Sequence, residues 1–149
     1  MERMIKKILV SLCMAAAILV GVSADGTTLP MAQADYAQYY NGDSNYPLVY
    51  GHQGVAWYLD KSSIVVKKND SEGNAFACNV ITVNETGNIS GSKTYWYYKV
   101  AGEDMGTAYS SPDGQNWQAF EVGSTFGYMQ VLVKTFKIGW YAAFGYSYS

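Results

Sequence analysis

With 149 residues, a formal charge of −2 and a single arginine, Arg3, among ten basic side chains, the chain lacks the clustered cationic surface that displaces counterions from phosphates, so nucleic acid is not an expected partner. One histidine and two cysteines, far apart, cannot supply a zinc site of ordinary ligand spacing. The length suits one domain able to bury a core without cross-links.

At the start, Arg3, Lys6 and Lys7 precede an apolar run over residues 8–22, and two small-residue cleavage sequences follow, Val22-Ser23-Ala24 and Ala32-Gln33-Ala34. This is the layout of a secretory signal peptide over residues 1–34, with cleavage expected after Ala34 or after Ala24. The apolar run holds fifteen residues and contains Ser11, whereas a spanning helix needs about 20 apolar residues. The expectation is export without a stable membrane span after cleavage, to a secreted or cell-envelope location, periplasm or cell surface. A cut after Ala24 leaves seven lysines against eleven carboxylates, a mature charge of about −4. Cys13 departs with the leader, so Cys78 is the one exported thiol and no internal disulfide can form.

Residues 35–45 are polar and small, with no apolar periodicity, and read as a flexible, tyrosine-containing lead-in, although Tyr36, Tyr39 and Tyr40 suggest that part of it lies against the domain. A single α+β domain is expected over residues 46–149. Residues 55–59 and 64–68 are β-prone and separated by Asp60-Lys61-Ser62-Ser63, whose side chains can bond nearby amides and turn the chain. After the polar turn at residues 69–74, residues 75–83 are apolar, β-prone and free of Pro and Gly, as an inner strand would be. Within them Cys78 keeps step with Phe76 and Val80, which favours a buried small hydrophobe over a reactive thiol.

Residues 92–101 alternate Thr94, Trp96, Tyr98 and Val100 on one face with Tyr95, Tyr97, Lys99 and Ala101 on the other. Both faces carry large rings, so one packs the core and the other is covered or left as a contact surface. Ser111-Pro112-Asp113-Gly114 has type I turn chemistry and would join residues 107–110 to 117–122 as a hairpin. From Ser124 the period changes: Gln130, Lys134 and Lys137 face one way while Phe126, Met129, Leu132, Val133 and Phe136 face the other. A helix is expected over residues 124–138, with Ser124 as N-cap and Gly139 as stop, a strand being the alternative because Val131, Val133 and Thr135 are poor helix formers. The fold class is α+β: an antiparallel β-sheet of five or six strands with one C-terminal helix packed on it.

The run Trp57-Tyr58-Leu59-Asp60-Lys61-Ser62-Ser63-Ile64, then Ser92-Lys93-Thr94-Tyr95, then Asp113-Gly114 with Trp117, then Gly123-Ser124, resembles the surface-adhesin protein E family of bacterial exported domains. The likeness covers residues 55–138. It implies structural roles for Asp60, Ser63, Ser92, Trp117, Gly123 and Ser124: an aromatic-x-Asp-x-x-Ser corner between strands, a Ser that opens the central strand, and a Gly-Ser pair that caps the last helix. Many members of that family carry two cysteines, on the central hairpin and in the final helix; this chain has neither. The resemblance also implies a surface or exported domain that binds something.

The inventory of chemistry is short. His52 is the one histidine, and no nucleophile elbow or local motif accompanies it. Asp70-Ser71-Glu72-Gly73-Asn74 lacks the ligand pattern of a calcium loop and reads as a hairpin turn. No catalytic residue, metal site or cofactor is expected. Fourteen tyrosines and four tryptophans, all beyond residue 34, are the most distinctive resource. Amphipathic rings serve cores and interfaces alike. The expected function is therefore an exported, non-catalytic binding or adhesion domain, with Tyr95 and Tyr97 as ligand contacts and a protein or glycan at the cell surface as partner. The alternatives are an envelope structural protein and, third, a cell-wall hydrolase.

Overall fold

A computed structural model describes residues 36–149; the expected leader, both cleavage sequences and Asp35 lie outside the described residues. The described part forms one compact unit, Tyr36–Ser149, which begins ten residues ahead of the boundary expected at Tyr46. Six antiparallel strands lie in chain order across one sheet, and one helix follows them.

Strands β1 (Leu48–His52) and β2 (Val55–Asp70) form a hairpin through Gln53 and Gly54, whose φ angles of 48° and 78° are those of a type I′ turn. Residues 48–52 carry no clear strand signal in the sequence. The stretch is short, follows Pro47 and contains Gly51, features that suit its place at the sheet edge.

β2 is one sixteen-residue strand where the sequence suggested two. Asp60 to Ser63 act as expected on their neighbours, since Asp60 Oδ1 accepts from the Ser62 amide at 2.9 Å and Ser63 Oγ donates to the Asp60 carbonyl at 2.6 Å. Those bonds bend the strand without ending it: between the pairs Asp60–Asn79 and Val65–Ala77, β2 has four residues, 61–64, where the next strand has Cys78 alone. The Asn79 amide donates to Ser63 Oγ at 2.7 Å, so the next strand bonds to the bulge itself.

β3 (Gly73–Val83) pairs with β2 and with β4 (Ile89–Val100), and together these form the centre of the sheet. β5 (Thr107–Ser111) and β6 (Gln118–Glu121) complete it through the expected turn, where Ser111 Oγ accepts from the Gly114 amide at 2.9 Å. Asp113 accepts from the Gln115 and Asn116 amides, both at 2.9 Å, which fixes the connection to β6.

Helix α1 (Met129–Phe144) is displaced towards the C-terminus from the expected span. Ser124 is not its N-cap: the Ser124 amide donates to the Glu121 carbonyl in a turn, and the helix opens after Tyr128 with no side-chain cap. Phe126, expected in the core, is 84% exposed, because it precedes the helix and shares none of its periodicity. Nor does Gly139 stop the helix. Its missing side chain admits Phe76, whose Cε2 would stand 2.5 Å from a Cβ at that position. The helix ends instead at Gly145, with φ 81° and its amide donating to the Tyr141 carbonyl.

The main core lies between α1 and the inner sheet face, with Leu59, Phe76, Cys78, Val80, Tyr97, Phe120, Val131 and Phe136 in one cluster. A smaller cluster occupies the opposite face at one end of the sheet, where Ala56, Tyr58, Ile81 and Val83 are covered by Tyr36, Tyr40, Tyr46 and Leu48. The lead-in tyrosines make polar bonds there as well: Tyr36 Oη accepts from the Gly54 amide at 2.9 Å, and Tyr58 Oη donates to the Ala37 carbonyl at 3.1 Å.

Gly139 gives a direct test of helix docking. Alanine in place of glycine inside a helix ordinarily stabilises by about 1 kcal/mol, but a Cβ here would strike the fully buried Phe76 ring. Overpacking of this kind costs roughly 1–3 kcal/mol. Gly139→Ala should therefore lower the midpoint of urea unfolding, and a raised midpoint would contradict the close approach.

Candidate binding surface

Alternation along β4 separates its rings into two sets. Tyr95 and Tyr97 lie on the inner face and are buried, Tyr97 with no exposed surface. Tyr97 Oη donates to the Leu132 carbonyl of α1 at 2.9 Å, and Tyr95 Oη bonds Tyr128 Oη at 3.0 Å. The two residues expected to contact a ligand are thus committed to holding the helix, and that expectation is corrected. Burial raises the pKa of both phenols, a neighbouring Tyr128 adding to the effect at Tyr95.

Trp96 and Tyr98 take the outer face. Register decides which face is which: β4 pairs with β3 so that Tyr97 lies opposite Phe76, while Trp96 and Tyr98 lie opposite Ala77 and Ala75. The small alanines leave room for the two outer rings. Lys67 Nζ stands 4.9 Å from the Trp96 ring centre, a cation–π distance. On the far side, a Cβ on Gly114 would come within 3.0 Å of the Trp96 ring, and this glycine has φ 77°, so the 111–114 turn seats against the indole.

Tyr98 in turn carries Trp117, ring centres 5.8 Å apart and planes tilted by 59°. Trp117 is 37% exposed, and Val65 and Val66 beside Lys67 on β2 are also open to solvent. Trp96, Tyr98 and Trp117 with Lys67 therefore form a row of held but accessible rings on the part of the outer face that the 36–46 segment leaves open. Asp113 beneath the row is held well below the usual carboxylate range by the amides of Asn116 and Gln115 and the Ser111 hydroxyl, so this turn keeps its charge and shape over the working pH range. The sequence signal for this assignment was present in the sizes of Ala75 and Ala77 beside those of Phe76 and Cys78.

The remaining expected residues sit apart from one another. Asp60 and Ser63 shape the β2 bulge, Ser92 is exposed opposite Ile81, and Gly123 and Ser124 form the turn after β6. Only Trp117 among them reaches the ring row. His52 is exposed at the end of β1, stacked on Tyr50 with ring centres 6.1 Å apart. Among the described residues no group of His, Cys, Asp and Glu could hold a metal ion, and no helix is long and apolar enough to cross a membrane.

No known protein family, curated protein or solved structure matches this chain.

Cys78 lies under the helix with its thiol pushed up to about 12 by burial, the Asp60 charge adding to the shift. In the unfolded chain the thiol ionises near its ordinary value of 9.0, so between those values the unfolded state binds fewer protons than the folded one. Stability should accordingly fall as pH rises through this window, Tyr95 and Tyr97 acting in the same direction. Cys78→Ala should flatten the fall while costing about 1–2 kcal/mol at neutral pH, measured by urea unfolding at a series of pH values. A bulky thiol reagent should not label the native protein.

Proposed function

We propose that this protein is an exported, non-catalytic binding domain that acts at the cell surface or in the envelope and engages its ligand through the outer ring row of Trp96, Tyr98 and Trp117. The observation that carries this reading is the contrast between the two halves of the outer sheet face: one is sealed by Tyr36, Tyr40 and Tyr46, and the other leaves large, fixed rings open beside a lysine. Binding energy concentrates in a few rigid rings of this kind. The ligand favoured is a glycan strand, whose CH faces stack on rings and whose hydroxyls pair with Lys67 and polar ring edges. The resemblance to the surface-adhesin protein E family points the same way.

A second reading, an envelope structural protein that associates with itself, is favoured by the 84% exposure of Phe126 and by the free outer edge of β6.

Retention of the purified domain on cell-wall glycan, matrix proteins and intact cells tests the proposal. Trp117→Ala should weaken glycan retention by about ten-fold or more, equivalent to about 1.4 kcal/mol, with unfolding unchanged. His52→Ala should leave retention as it was. Equal retention of Trp117→Ala and the parent would sink the ring-row assignment, selective retention on matrix proteins would reassign the ligand, and concentration-dependent self-association without retention would favour the second reading. Substrate turnover abolished by His52→Ala would make the protein an enzyme.

A further inference from the structure

A second row of rings crosses the inner face of the sheet, just ahead of the helix. Tyr50 on β1 stacks on Trp57 of β2 with ring centres 5.8 Å apart, and Trp57 meets Tyr128 edge to face at 6.1 Å. Tyr128 then bonds the Tyr95 hydroxyl of β4 at 3.0 Å, so the row reaches across four neighbouring strands. Beside it, register sets Trp57 opposite Thr82 and Thr82 opposite Gly91, a floor across β2, β3 and β4. Helix α1 begins only at Met129, and a Cβ at Gly91 would meet no atom within 4 Å, so among the described residues nothing covers that end of the floor. The row itself is accessible: Tyr128 is 55% exposed, and Tyr50 and Trp57 are half-buried.

An ammonium stands at each end of the row. Lys134 Nζ lies 5.5 Å from the Tyr50 ring centre, and Lys93 Nζ lies 5.0 Å from that of Tyr95. Both lysines are exposed, and among the described residues neither forms a salt bridge. Contact with a ring face fixes where each charge sits without neutralising it. The strands that carry Tyr50 and Tyr95 are three spacings apart, about 14 Å, so the two charges are held well apart with rings between them.

This charge pattern selects an extended anion. A small monoanion would reach one ammonium and leave the other. Nucleic acid carries dense phosphates and draws its affinity from clustered cations, whereas this pair is widely spaced. A bilayer calls for apolar side chains that project into it, and Tyr50 and Trp57 lie half-buried against the sheet. We infer that this row binds a glycan chain of carboxylated sugars, the uronate class, with sugar CH faces stacking on Tyr50, Trp57 and Tyr128 and carboxylates accepting from Lys93 Nζ and Lys134 Nζ. The row lies on the opposite face of the sheet from Trp96, Tyr98 and Trp117 and does not rest on the role proposed for them.

The test uses the purified protein and follows its indole N–H signals by NMR, with Trp57→Phe to identify the signal of Trp57. Oligogalacturonate is the probe, and its methyl ester, the same chain without charge, is the matched control. Phosphatidylglycerol vesicles and single-stranded DNA are tested beside them. Oligogalacturonate should shift the Trp57 signal, more weakly as salt is raised, and bind more tightly than the ester, the vesicles or the DNA. Lys93→Gln combined with Lys134→Gln should weaken it by about ten-fold. Both positions are exposed, so the urea midpoint of this variant should stay near that of the parent. Trp117→Ala should leave the binding intact, which separates this row from the outer one. No shift of the Trp57 signal would overturn the assignment, as would equal binding of the ester, undiminished binding by the double lysine variant, loss of binding in Trp117→Ala, or tighter binding of vesicles or DNA.

Discussion

Phe136, at the middle of α1, has no exposed surface and touches rings from nearly every layer of the domain: Phe76 on β3 at 6.3 Å, Tyr97 on β4 and Phe120 on β6 at 5.5 Å, Trp140 one turn along at 5.6 Å, and Tyr148 of the tail at 4.7 Å. Edge-to-face and tilted pairs of this kind add about 0.5–1.5 kcal/mol each beyond the area they bury. The helix can reach them only because residue 139 has no side chain where Phe76 passes. With no disulfide available to the one described thiol, Cys78, this ring cluster is what ties the helix and tail to the sheet.

That commitment of rings to the inner face also determines what the outer face can offer. β4 has an aromatic residue at each of its positions from Tyr95 to Tyr98, and the strand must give one alternate set to the core. β3 makes the choice. Its inner positions carry Phe76, Cys78 and Val80, which build thickness towards the helix, and its outer positions carry Ala75 and Ala77, which leave room for Trp96 and Tyr98. Exposed rings in a sheet are usually a hazard, but here the 111–114 turn, Lys67 and Trp117 hold them from three sides, giving a defined surface in place of a loose patch.

The α+β class and the strand series from β3 to β6 were legible because alternation and turn chemistry agree there, as at Ser111-Pro112-Asp113-Gly114. The errors arose where one signal has two physical outcomes. Asp60 and Ser63 bend the backbone whether the chain turns or bulges, and the bonds that tie the bulge down come from distant residues, the Asn79 amide to Ser63 Oγ and the Lys61 amide to the Asn45 carbonyl. Ser124 and Gly139 have the chemistry of a cap and a stop, but a glycine inside a helix also permits close packing, and tertiary contact with Phe76 outweighed its poor propensity. Tyr95 and Tyr97 face the core and not a ligand for a related reason: the face of a strand is set by its neighbour's side-chain sizes, and those of β3 place these two rings under the helix. Nothing local marks Tyr50, Trp57 and Tyr128 as one row, because these three meet only after the helix has closed on the sheet.

On the outer face, the rings proposed for binding also bear on stability. Trp96 and Tyr98 lie beside Ala75 and Ala77, which are buried although among the described residues no second layer lies over that half of the sheet, so truncating either ring would expose apolar surface on the central strand. Each such ring protects the fold and presents a face to solvent, and their losses in binding and in stability are entangled. Trp117 packs at a tilt against Tyr98 and is partly open, and depends on the platform more than the platform depends on it. A surface built in this order can change its outermost ring without disturbing the sheet. On the inner face the buried Lys99 ammonium has a structural part, because the carbonyls that hold it, from Asp104 and Thr107, belong to the β4–β5 connection. A ligand on the proposed outer ring row would meet a surface already in place.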